Sequence, residues 1–157
     1  MAKGMLETIS CFRGAYFFLS NFYMTPIHYK DHWYKSAEHA FMAQKATNEE
    51  DRQRIANTPT PAKAKAMGRK ITLQTNWDNI KLNEMSLIVY HKFAQNNNIK
   101  HKLIQTGNLT LIEGNNWGDT FWGMVKNNRG EWVGENNLGK ILMTVRLILT
   151  NNTTPNL

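Results

Sequence analysis

Between Ser36 and Gly107 the sequence reads as a succession of short helices, each with its own start signal. Ser36 is a good side-chain cap for AEHAFMAQKA, a high-propensity helix over residues 37–46, and a second short helix is predicted over 49–57. Thr60-Pro61 opens a third and Gly68 closes it, with proline placed where the backbone N–H would have no helical partner. Asn76 or Asp78 caps a longer amphipathic helix to about residue 95, with Ile80, Met85, Ile88, Val89 and Phe93 on or near one face. Asn98 starts another short helix that ends at Gly107.

The flanks read differently. Residues 9–34 are rich in Phe, Tyr, Ile and Trp, lack helical periodicity, and suggest short strands around 9–13 and 26–34 with GAYFFLSNFY as loop between them. Leu109–Glu113 alternates as a short strand, and Gly114–Asn137 reads as loop around Trp117, Trp122 and Trp132. Leu138–Leu149 reads as a buried amphipathic helix. The ends, 1–7 and 150–157, read as frayed. No repeat, low-complexity block or linker divides the chain, so its 157 residues are expected to form a single helix-rich α+β domain with a core over about 9–150.

At 41% apolar and 20% charged, the composition lies in the globular range. Nothing approaches the roughly 20 apolar residues of a membrane helix, and MAKGMLETIS lacks the apolar region of a secretory signal. The expectation is a cytoplasmic protein with no membrane partner. One cysteine, Cys11, and five scattered histidines offer neither an internal disulfide nor a zinc pattern. His28 and His32 have a metal-like spacing, but they fall in a predicted strand-turn region, where side chains four residues apart on one face would stand about 13 Å apart. Neither metal nor cofactor is expected, and no Walker A or G-x-G-x-x-G pattern occurs. Nineteen Lys and Arg against 12 Asp and Glu give +7, which suits phosphates, a dinucleotide or nucleic acid, but also a merely soluble cationic protein.

Three constellations could carry chemistry. In the helix after Ser36, Glu38, Phe41/Met42 and Lys45 are spaced i, i+3/i+4, i+7, which sets an acid and a base on one face with apolar side chains between them. A partly desolvated carboxylate there suits a general base or a stabiliser of developing positive charge. The plain alternative is a solvated first-turn glutamate favouring the helix dipole. In Trp117-Gly118-Asp119-Thr120-Phe121-Trp122-Gly123, aromatic faces and glycines bracket an acid that can bind hydroxyls, or that simply caps a turn. Arg13-Gly14 and the Ser20-Asn21 pair, inside an aromatic run, have polar groups that a nucleotide could satisfy, and Trp77 could stack on a base or sit in the core. Lys63, Lys65, Arg69 and Lys70 read as a solvated face that could contact nucleic-acid phosphates.

The order of F-L-S-N-F-Y, S-x-E-H-x-F-x-A-x-K-A, A-K-x-M-G-R-K, N-W-D, K-F-x-Q-N, L-x-x-T-G-N, L-x-E-x-N, F-W-G and N-N-L-G-K-I-L-M-x-V-R over about residues 12–148 resembles the NADAR family, also called YbiA-like. The resemblance implies a largely helical α+β fold and an N-glycosidase acting on ribosylamine-type bonds. Two substrate types go with it: phosphoribosylamino-pyrimidine intermediates of riboflavin biosynthesis, and ADP-ribose on guanine bases. It places the functional acid on Glu38, the tryptophan of N-W on Trp77, and the aspartate upstream of the aromatic Trp122-Gly123 pair on Asp119. Arg13, Ser20, Asn21 and Lys45 become candidates for ribose and phosphate contacts, with Trp122 and Gly123 lining the substrate. The chain departs from the family at Met124-Val125, where relatives have D-G, and at Glu135, where they have lysine, so it lacks a second loop aspartate and that lysine.

Cleaving a ribosyl C1′–N bond passes through an oxocarbenium-like state, which calls for negative charge near C1′, a positioned water and help for the departing base. In this reading Glu38 activates water or stabilises the cation, Asp119 holds ribose hydroxyls or assists the leaving group, Trp77 stacks, and Arg13 and Lys45 hold phosphate. The division of acid and base roles stays open. Net charge favours ADP-ribosyl-guanine in nucleic acid or nucleotide as partner. The alternatives are the small riboflavin intermediate and a non-catalytic ADP-ribose-binding module. Oligomeric state is not legible.

Overall fold

A computed structural model of the chain describes residues 7–153. The elements run Thr8–Ile9 (β1), Met24–Tyr29 (β2), His32–Ser36 (β3), Ala37–Gln44 (α1), Glu49–Ala56 (α2), Pro61–Gly68 (α3), Trp77–Ala94 (α4), Asn97–Gln105 (α5), Thr110–Leu111 (β4), Val125–Lys126 (β5), Trp132–Val133 (β6) and Asn137–Thr153 (α6). Helices dominate and the strands are short, an α+β fold. The chain forms two compact units, Asn21–Asn97 and the segments that flank it. No helix among the described residues is long and apolar enough to cross a membrane.

In the unit Asn21–Asn97, the stretch expected as one strand over 26–34 is instead the antiparallel hairpin β2–β3, with Ile27 opposite Tyr34 and Tyr29 opposite His32. Its two-residue turn uses Lys30 and Asp31 in left-handed backbone (φ 47° and 67°), the geometry that matches strand twist. The period-two pattern turns Thr25, Ile27 and Tyr29 inward and leaves Met24, Pro26 and His28 outside. His28 and His32 therefore sit on different strands. His28 packs against Trp33 at 5.0 Å, and His32 Nε2 lies 3.0 Å from Glu49 Oε1.

Helix α1 is buried along all eight residues and packs against α2, α3, α4 and both hairpin strands. Alanines 37, 40 and 43 permit this, because small side chains let neighbours close in from every direction. Ser36 and Thr60 start their helices as expected, their side chains accepting from His39 and Lys63 N–H, and Asn48 caps α2 by accepting from Asp51 N–H. Asn76 stands at the α4 N-cap position without a side-chain cap bond. Gly68 does end α3, but not through a left-handed turn. A Cβ there would lie 2.5 Å from Met42 Sδ, so its bareness is what allows α3 to lie close on α1. His39 fastens the N-terminus of α1, since Ser36 Oγ donates to Nδ1 (2.7 Å) and Nε2 donates to Thr58 O (2.9 Å). Glu84, buried on α4, accepts from Tyr29 Oη at 2.6 Å and pairs with Lys30 at 2.5 Å.

In the flanking unit, the strand expected over 9–13 shrinks to β1, which pairs parallel to β4 through Thr8–Thr110 and Ile9–Leu111. Gly14–Leu19, expected as loop, winds as a 3-10 helix. The long segment 114–137 contains the small hairpin β5–β6, with Val125 opposite Val133. Helix α6 packs on β4, and its Leu138, Leu142, Val145 and Leu149 are buried. Asn136, in left-handed backbone (φ 52°), joins loop to strand: its Oδ1 accepts from Glu113 N and its Nδ2 donates to Leu111 O. α6 runs on to Thr153, past the boundary at 150 expected of a frayed end. Residues 1–6 and 154–157 lie outside the described residues.

Candidate active site

The junction β3–α1 turns on Ser36, and two residues later it delivers Glu38 into the interior. The Glu38 backbone N–H donates to Asn21 O at 3.0 Å. Its side chain is only 7% exposed, so the alternative of a solvated first-turn glutamate fails. Among the described residues no side-chain hydrogen bond or ion pair within 4 Å holds the Glu38 carboxylate. Burial pushes its pKa up to about 7, against the pull of Lys65, Lys45 and Arg69. A carboxyl that is buried, unpaired and poised near neutrality is expensive to keep, and such groups concentrate at functional sites.

Helices α3, α1 and α4 carry the other charged and aromatic groups of this unit. Helix α3, close on α1 through Gly68 and Met42, carries Lys65 and Arg69 one turn apart. The Lys65 ammonium also lies 5.9 Å from the centre of the Phe22 ring. Lys45, half-buried at the C-terminal end of α1, has its pKa lowered by burial and further by Arg69, Lys65 and Lys81, with Glu38 opposing. Its ammonium stands 5.9 Å from the Trp77 ring centre. Trp77 opens α4, is 6% exposed and packs tilted on Phe41 at 5.0 Å. Gln74 secures this approach: its N–H donates to Lys45 O at 3.0 Å, its side-chain amide donates to Gln44 O, and its own carbonyl accepts from Trp77 N. Asn21 Nδ2 points at Met85 Sδ, 3.4 Å away.

The other residues named from sequence lie in the flanking unit. Asp119 Oδ1 accepts from Phe121 N (3.1 Å) and Trp122 N (2.9 Å), while Asn115 accepts from Asp119 N and donates to Asp119 O. Asp119 thus shapes the loop, the turn-capping alternative; among the described residues no protein donor reaches its Oδ2. Phe121 and Trp122 stack edge-to-face at 4.8 Å. Gly123 is buried where a Cβ would strike Glu113 O, so only glycine fits. Arg13 is exposed at the start of the 3-10 helix, and Ser20, half-buried, donates its N–H to Phe17 O at 2.9 Å.

Asn21, Glu38, Lys45 and Trp77 therefore share one unit, and Arg13, Ser20, Asp119, Trp122 and Gly123 belong to the other. Sequence reasoning read Lys65 and Arg69 as a solvated face that could contact nucleic-acid phosphates, without linking them to Glu38. The available signal was their four-residue spacing beside Gly68, which marks a helix made to lie close against another.

Comparison with known proteins gives a consistent family. The NADAR domain profile matches residues 11–150. An N-glycosidase of Nostoc punctiforme is 36% identical over 137 residues, covering 84% of this chain and 85% of that protein. Escherichia coli YbiA, named an N-glycosidase, is 33% identical over 129 residues, covering 81% of this chain and 78% of YbiA. The YbiA solution structure superposes with a TM-score of 0.78 at 27% identity, covering 99% of this chain and 95% of YbiA. A riboflavin biosynthesis protein of Vibrio vulnificus is 34% identical over 131 residues, or 82% of this chain, which spans about a third (34%) of that protein.

Proposed function

The chain belongs to the NADAR family and is a hydrolase of the N-glycosidase type, and we propose that it cleaves the ribosyl C1′–N bond between ADP-ribose and guanine in nucleic acid or nucleotide. The observation that carries the reading is Glu38: a buried, unpaired carboxyl near neutral pKa, within the electrostatic reach of Lys65, Lys45 and Arg69, on the helix whose Lys45 stands over the Trp77 ring. At neutral pH such a group exchanges a proton in either direction, which is the requirement for general acid–base catalysis.

In this reading Glu38 gives its proton to the departing base nitrogen as the C1′–N bond breaks. The carboxylate left behind then faces the oxocarbenium ion and takes a proton from the water whose oxygen bonds to C1′. The cycle restores the protonated acid and yields free base and ribose hydroxyl, so one carboxyl carries one proton through the reaction. Trp77 offers a ring face to the base or ribose, and Lys45 offers charge to phosphate. Asn21, in the same unit, supplies a ribose or phosphate contact. The net charge of +7 supports a polyanionic substrate. The name of the Vibrio relative favours a second reading, hydrolysis of a small phosphoribosylamino-pyrimidine.

The test incubates the protein with ADP-ribosylated guanosine in DNA, with ADP-ribosylated protein and with the riboflavin intermediate, and follows the products by mass spectrometry. Release of unmodified guanine sites and ADP-ribose is expected, with apparent affinity falling steeply as salt rises. Turnover of the small intermediate alone, indifferent to salt, establishes the second reading instead. ADP-ribose binding with no glycoside cleaved would leave only a binding module.

A further inference from the structure

The last turn of a helix leaves its carbonyls without helical partners, and α1 ends among buried residues, where each of them has to be met by another group. Lys45 N–H and Ala46 N–H turn back to Met42 O and Ala43 O, each at 3.2 Å. The next two carbonyls, Gln44 O and Lys45 O, are both taken by Gln74, the first by its side-chain amide and the second by its backbone N–H at 3.0 Å. A backbone bridge between Ala46 and Leu73 lies beside these bonds. Gln74 O in turn accepts from Trp77 N at 3.2 Å, one of the N–H groups that the first turn of α4 leaves over. Asn76, at the N-cap position, gives no side-chain bond there. A single residue thus closes the end of α1 and the start of α4 together.

Those two helix ends carry Lys45 and Trp77, the ammonium 5.9 Å from the ring centre and the ring tilted on Phe41 at 5.0 Å. We propose that Gln74 is a positioning residue: its side-chain amide sets where Lys45 and Trp77 stand relative to each other, and through them how tightly a ribosyl phosphate is held. The inference deepens the glycosidase reading and rests on it for its catalytic meaning. The backbone bonds of Gln74 survive any change of its side chain, whereas the bond to Gln44 O does not. Gln44 is buried, so a side chain that cannot donate leaves its carbonyl unmet or lets the end of α1 draw away from α4. Glu38 stands two turns back on α1, with its own backbone N–H held by Asn21 O at 3.0 Å. The proton-transfer group is fastened separately, so loss of the Gln74 amide falls on binding and not on the chemical step.

The test uses Gln74→Met, which keeps the length of the side chain and cannot donate, with calorimetric binding of ADP-ribose and ribose 5-phosphate and steady-state kinetics on ADP-ribosylated guanosine DNA. The dissociation constant of whichever probe wild type binds, and KM with it, should rise about tenfold, the scale of effect that misplaced binding groups produce, while kcat stays within about twofold. Thr75→Ala, at the exposed neighbour, should change none of these by as much as about twofold. The indole N–H resonance of Trp77, assigned by its loss in Trp77→Phe, should move in Gln74→Met and stay in place in Thr75→Ala. In the Trp77→Phe background Gln74→Met should weaken binding less than it does in wild type, because part of its effect runs through that ring. Affinity changed by less than about twofold, an unmoved indole resonance, a loss confined to kcat, the full loss retained in the Trp77→Phe background, or a wild type that binds neither probe would each overturn the proposal. If the probes bind as described and no glycoside is cleaved, the glycosidase reading fails while the positioning of Lys45 and Trp77 stands.

Discussion

At the scale of single residues, two neighbours in sequence, Glu38 and His39, are buried in opposite ways. His39 is buried with both ring nitrogens hydrogen-bonded, and burial lowers its pKa, so it is a neutral clamp. Glu38 is buried with no such partner, and its pKa rises to about 7. Because its folded-state value lies above that of the unfolded chain, Glu38 costs nothing while both states are protonated. It destabilises progressively as pH rises from the ordinary carboxylate range through about 7. Urea denaturation should therefore show Glu38→Gln gaining on wild type between pH 5 and pH 8, by up to about 3 kcal/mol. Stability curves that run parallel across that range would mean that the carboxyl is not buried as described.

Among the elements, Gly68 is the hinge of the argument, since it lets α3 present Lys65 and Arg69 to Glu38. Gly68→Ala gains helix propensity but forces Met42 aside; overpacking of this kind costs about 1–3 kcal/mol, enough to outweigh the propensity gain. We expect a lower melting temperature, together with an upward shift of the pH at which Glu38 titrates as the cations draw back; an unchanged melt and an unchanged titration would show that the approach is not tight. Two helix starts were legible because caps are local, and Ser36 and Thr60 act where the sequence indicates. Glu38, Lys45 and Trp77 were legible as candidates for similar reasons. The electrostatic action of Lys65 and Arg69 on Glu38 was not, because it arises only once α3 packs on α1, and a lysine-bearing helix of eight residues reads as solvated by itself. The hairpin β2–β3 was missed because its turn carries Lys30 and Asp31 where glycine or asparagine would have announced it. The hairpin β5–β6 was missed because two-residue strands leave no alternation to read.

For the molecule as a whole, family membership was legible in the order of nine weak blocks and in no single one. The span recognised from them, about 12–148, agrees with the domain match over residues 11–150. The excess of seven positive charges is the whole-molecule feature on which the proposal of a polyanionic substrate rests. The central claim remains that a sheltered carboxyl meets the anomeric carbon. The most direct measurement compares base release by wild type and Glu38→Gln on ADP-ribosylated guanosine DNA, with calorimetry confirming that the variant still binds ADP-ribose. The account predicts a loss of more than about a hundredfold, the lower end of what general acid–base catalysis contributes. A loss of less than about tenfold, under about 1.4 kcal/mol of barrier, would contradict it.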